Sequence, residues 1–83
     1  MSTTRQDIAE WFDRGLKEGA THLIVACDTF DYGDFPVFVK PSEDVNKRID
    51  EFSNPNQMLR VMEVYNLTMS KDEQINAHRV WNI

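Results

Sequence analysis

Five consecutive apolar residues, Leu23-Ile24-Val25-Ala26-Cys27, constrain this chain more than any other stretch. They are rich in β-formers, and strand side chains alternate between faces. One face would carry His22, Ile24 and Ala26, the other Leu23, Val25 and Cys27. Both are apolar, so this strand belongs in the middle of a sheet, covered on both sides. The next strand is Val37-Phe38-Val39, bounded by Pro36 and Pro41. Proline cannot donate to a ladder, which places this strand at an edge. The link Asp28–Phe35 is too long for a two-residue hairpin turn. Within it Gly33 can supply a positive φ, and the aspartates can make Asx turns.

Helical signals surround this pair. Thr4-Arg5-Gln6-Asp7 is an acidic variant of a capping box, and Ile8, Trp11, Phe12 and Leu16 follow as one apolar stripe. Gly19 suits the position after the helix, so the predicted span is 4–18. Gly15 inside it costs about 1 kcal/mol relative to alanine, which points to a close approach to the sheet. A second helix starts at Ser42 with Glu43 and Asp44 in its first turn, where the macrodipole favours acids. Its stripe is Val45, Ile49 and Phe52, and Ser53-Asn54-Pro55-Asn56 ends it.

Residues 57–67 fit either a helix or a strand, and Val61, Val64 and Tyr65 decide for a strand. In that strand Leu59, Val61 and Tyr65 would oppose Met58, Met62 and Val64. Ser70-Lys71-Asp72-Glu73 is a capping box for a last helix bearing Ile75, Ala77, His78 and Trp81. The order is α-β-β-α-β-α in a single domain, 1–83. The expected fold is a small α+β protein with a three-stranded antiparallel sheet, order 2-1-3, the second helix crossing over strand one. Helices one and two are expected on the same face. That would leave the other face of strand one short of cover, so self-association is expected as well.

Composition removes several functions. One cysteine allows no intrachain disulfide and no cysteine-rich zinc site, and suits a reducing compartment. The N-terminal MSTTRQDIAEWF does not read as a signal peptide, and no apolar run approaches the roughly 20 residues of a membrane span. A cytoplasmic protein away from membranes is expected. Net charge is −5, and between Glu18 and Val39 there is no Lys or Arg. That disfavours nucleic acid and favours a basic patch on a protein partner.

Four constellations remain. Asp28, Asp31 and Asp34 are spaced by three in one loop, as carboxylates for a hard cation would be. The spacing does not fit an EF-hand, and the aspartates read better as turn caps, so no metal and no cofactor is expected. Phe30, Tyr32 and Phe35 interleave with them, either as binding anchors or folded back over the hairpin. Cys27 with His22 or His78 invites a nucleophile and base. A lone buried cysteine is more often a small hydrophobe, and His22 falls on the opposite strand face, so no enzyme is expected. Met58, Met62 and Met69 are either core filler, the favoured reading, or an adaptable binding surface.

GATHLIVACDTFDYGDFPVFV (19–39) and RVMEVYNL (60–67), followed by a final helix ending in His-Arg, resemble a group of short uncharacterised proteins of phage and prophage genomes. The resemblance covers most of the chain and carries no activity. It implies an intracellular accessory protein. The expected function is binding, and thereby modulating or inhibiting, a host defence protein or a phage protein. The contact would be Asp28, Phe30, Asp31, Tyr32, Asp34 and Phe35. The alternative is a sponge for a small molecule or nucleotide signal with a pocket at an oligomer interface, for which Arg48, Arg60 and Arg79 are the available cations.

Overall fold

The computed structural model describes residues 4–30, 33–77 and 80–83. Helix α1 is Arg5–Lys17, strand β1 His22–Asp28, strand β2 Gly33–Val39, helix α2 Val45–Phe52, strand β3 Leu59–Asn66 and helix α3 Lys71–Ile75. A single 3-10 turn, Pro55–Gln57, precedes β3. The sheet is antiparallel throughout in the order β2-β1-β3. Chain order, fold class and strand order are those the sequence predicts, and 59–66 is a strand.

Capping chemistry sets the bounds of α1. The Thr4 hydroxyl accepts from the Asp7 N–H at 3.2 Å, and the Asp7 carboxylate accepts from the Thr4 N–H at 3.0 Å. At the other end Gly19, at φ 76°, donates to the Leu16 carbonyl and Ala20 to the Gly15 carbonyl. That paired closure is the Schellman arrangement, and its left-handed residue is cheapest as glycine. Gly15 is buried, and a Cβ there would stand 2.7 Å from Leu67 Cδ1 and 3.1 Å from Phe38 Cδ1. The missing side chain is what lets α1 lie on the sheet.

The helices do not share a face. Ile8, Phe12 and Ala20 pack with Leu23, Val25, Tyr65, Leu67 and Val80 on one side, joined by Trp11, Phe38 and Ile75. Ile49 packs with Ile24, Ala26, Val37, Val39 and Val64 on the other, joined by Phe35, Val45, Phe52 and Val61. So α1 and α3 cover one face and α2 the opposite one. A strand apolar on both faces needs cover on both, and each amphipathic helix supplies one. The same-face expectation is corrected, and with it goes the bare face from which self-association was expected.

Four local expectations are also corrected. First, β2 begins at Gly33, four residues before Val37, with Pro36 opposite Val25; β2 has a single neighbour, so proline's missing donor costs no ladder bond on the outer side. Second, α2 starts at Val45 with Asp44 as its cap, the carboxylate accepting from the Asn46 N–H at 2.9 Å. Glu43 is instead folded onto the Lys40 N–H at 2.9 Å. Third, β3 carries a bulge: Val25 faces Glu63 but Ala26 faces Val61, leaving Met62 over. An extra residue flips the alternation, so Val61 joins Val64 on the α2 face and not Tyr65.

The fourth concerns the C-terminal end. The Ser70 side chain makes no cap bond. Buried Gln74 does the organising there, accepting from the Asn66 N–H at 2.8 Å and from Asn82 Nδ2 at 3.0 Å while its own Nε2 donates to the Asn66 and Ser70 carbonyls. Trp81 is not helical. The chain past 80 is extended beside β3, with a parallel bridge from Val64 to Trp81 held by Val64 N–H to Val80 C=O and Asn82 N–H to Val64 C=O, both 2.9 Å. Lys71 Nζ reaches Asp13 at 2.8 Å and ties α3 to α1. Among the described residues no helix is long and apolar enough to cross a membrane.

Candidate functional site

The stretch Asp28–Phe35 resolves into strand ends and a turn. Because β1 runs to Asp28 and β2 starts at Gly33, paired with each other, the connection is residues 29–32. The Asp28 Oδ1 accepts from the Phe30 N–H at 2.8 Å, an Asx turn. The Thr29 N–H donates to the Met58 carbonyl at 2.8 Å. Met58 itself closes the 3-10 turn at φ 58°. Two backbone anchors therefore hold the start of the turn, and beyond them Phe30 is 76% exposed. Asp31 and Tyr32 lie outside the described residues.

The other named residues separate. Phe35 is in β2 opposite Ala26 and packs edge-on against Phe52 of α2, ring centroids 6.0 Å apart. Asp34 pairs with Cys27 and so lies on the α1 face. Of the six residues grouped by sequence, Asp28 and Phe30 share the turn, Asp34 faces the α1 side of the sheet, and Phe35 belongs to the α2-side core. Loop spacing could not separate them, because the strand register decides which face each residue takes.

On the α1 face the sheet runs on beyond the helix. An open cleft of about 280 Å³ lies there, lined by Ile8, Val25, Asp34, Arg60, Val61, Met62 and Glu63. Arg60 faces Cys27 from β3 and Asp34 faces it from β2, so the thiol sits between them. Burial pushes the Cys27 thiol up, and the Asp34 hydrogen bond and the Asp34 and Asp28 charges push it further, against an opposing effect of Arg60. A thiol held protonated is a poor nucleophile. Glu63 accepts the Val80 N–H at 3.2 Å and a hydrogen bond from the Tyr65 hydroxyl. Burial first, then the Glu63 charge, moves that hydroxyl well above the ordinary tyrosine range.

His22 begins β1 on the face opposite Cys27 and shares a hydrogen bond of 2.9 Å with the Thr21 hydroxyl through Nδ1. Burial lowers its pKa. The second histidine considered with Cys27, His78, lies outside the described residues, as does Arg79. Among the described residues no group of three or more side chains is placed to hold a metal ion. Arg48 is engaged by Glu43 at 3.5 Å and Glu51 at 2.7 Å and lies over the Phe52 ring, and Arg60 lines the cleft together with Asp34 and Glu63.

Sequence reasoning missed the cleft as a unit. Ile8 reads as core, Glu63 carries no motif, and the bulge that sets Met62 apart has no sequence signature. One signal was present: Met58, Met62 and Met69 are each more than 40% exposed. They are not core filler, and of the three Met62 lines the cleft. No protein-family model, no curated protein and no solved structure matches this chain.

Proposed function

We propose that this chain is a non-enzymatic interaction module, a small acidic accessory protein of phage type that binds and modulates a host or phage protein through the β1–β2 turn. The observation that carries the reading is Phe30. Phe30 is 76% exposed and lies in neither core cluster. Its backbone is nonetheless held by the Asp28 carboxylate and, through Thr29, by Met58. An aromatic on a backbone already anchored has less chain entropy left to lose on binding, and aromatic side chains dominate interface energetics. The surrounding charge, −5 over the chain, selects basic partners and speeds their approach. The phage setting rests on the resemblance alone.

The test compares wild-type and Phe30→Ser protein as baits in host lysate, scored by quantitative mass spectrometry. The expected result is a small set of proteins held by the wild type and depleted at least tenfold by the variant, with thermal unfolding unchanged. Equal capture by both folded baits overturns the turn as the interface.

A further inference from the structure

The cleft beside the turn has a chemistry of its own. Its lining combines the apolar Ile8, Val25 and Met62 with Asp34 from β2 and with Arg60 and Glu63 from β3. We propose that it is a socket for one long basic side chain, a lysine or arginine, projecting from the protein partner inferred above; the proposal rests on that reading for the partner's being a protein.

Three observations select this occupant. The first is size: an open cleft of about 280 Å³ has room for one extended side chain. The second is the mixture of chemistry in the lining. Lysine and arginine bury an aliphatic stem on apolar surface and keep the charged head at a polar rim. Ile8, Val25 and Met62 suit the stem, and the Asp34 and Glu63 carboxylates suit the head. Glu63 already accepts from Val80 and Tyr65, but a carboxylate has about four lone-pair sites and can accept again. The third is sign. The lining carries two carboxylates against one guanidinium, in a chain of net charge −5. An anion would meet one guanidinium against two acids in the same lining, and a second copy of this chain would bring the same negative charge.

Position supports the link to the turn. Asp34 is one residue past Gly33, which pairs with Asp28, so the cleft borders the turn that presents Phe30. The bulge contributes too. Met62 falls out of the pairing with β1, which frees its side chain to stand at the cleft.

The test is a titration of ¹⁵N-labelled full-length protein with N-acetyl-arginine amide and N-acetyl-lysine amide, using the norleucine and glutamate analogues as controls. The expected result is saturable shifts centred on the amides of Ile8 and Arg60–Glu63 with the two basic probes. Binding should weaken at least fivefold in high salt and at least fivefold in Asp34→Asn and in Glu63→Gln, whose amide oxygen can still accept from Val80. Norleucine binding as well as arginine would reduce the cleft to an apolar groove and overturn the proposal. Stronger binding of the glutamate analogue would make Arg60 the ligand and overturn it as well, and so would shifts that never saturate. The turn reading fails separately. Saturable basic-probe binding alongside Phe30-independent capture keeps the socket and removes the turn. A cleft silent to the basic probes alongside Phe30-dependent capture removes the socket and keeps the turn.

Discussion

The two faces of β1 are made by alternate residues of one apolar run, yet they end differently. On the α2 side Ile24 and Ala26 are wholly buried, and Phe35 with Phe52 carries the apolar cover toward the turn. On the α1 side Leu23 and Val25 are equally well covered, but the next row is Asp34, Cys27 and Arg60, and there the helix gives way to a cleft. Charged groups cannot be roofed by an apolar helix without partners. A phenylalanine in β2 closes one face; an aspartate one residue earlier opens the other.

Breaking either face at its centre should produce the largest effect. Val25→Asp and Ile24→Asp each put an unpaired charge at a site no more than 2% exposed. Each should cost about 4 kcal/mol or more. A domain of this length holds only roughly 4–12 kcal/mol in all. Both variants should therefore lack a cooperative thermal transition near that of the wild type. If only one of them is severely destabilised, the two faces do not share the burden of the core.

A smaller contrast lies between two phenylalanines five residues apart. Phe35→Ala should cost about 2 kcal/mol, below the full Phe→Ala range because the ring is half-buried. Phe30→Ala should stay within about 0.5 kcal/mol. Urea midpoints for the pair measure this, and similar values would mean that Phe30 packs or that Phe35 does not.

Gly15→Ala sharpens the account of the α1 face. Alanine recovers about 1 kcal/mol of helix propensity, but its methyl would meet Leu67 and Phe38 at 2.7 and 3.1 Å. Overpacking of that kind costs roughly 1–3 kcal/mol, so the variant should be less stable by about 1 kcal/mol. In a Leu67→Ala background the penalty should shrink, and a double-mutant cycle reads that coupling.

The smallest effect is a pH dependence at the base of the α2 face. The His22 imidazole is held below its ordinary value of 6.5 by burial. Its Nε2 is buried with no hydrogen-bond partner among the described residues. The unfolded chain therefore takes up the proton first as pH falls. Stability should be full above about pH 6.5, decline as pH drops below it, and level off once the folded imidazole is protonated too. His22→Gln should flatten that decline in melts run across the range, and an unchanged slope would assign it to the carboxylates.

Much of this was legible in the residues themselves. The apolar run made β1 central, the prolines put β2 at an edge, and the caps at Thr4 and Gly19 bounded α1, because each is a local rule of backbone chemistry. Gly15 announced a close approach before any partner was known. Three things were not legible. The side of the sheet each helix takes is a choice between two placements that satisfy the same apolar stripe. The Met62 bulge moves Val61 across the sheet, and a bulge depends on pairing with another strand. The residues of Asp28–Phe35 look alike in a row, yet register sends Phe35 into a core, Asp34 to a cleft and Phe30 to solvent. Local sequence set the elements and their ends, while pairing between distant strands decided which face each side chain meets, because a shift of one residue in register reverses every side chain beyond it.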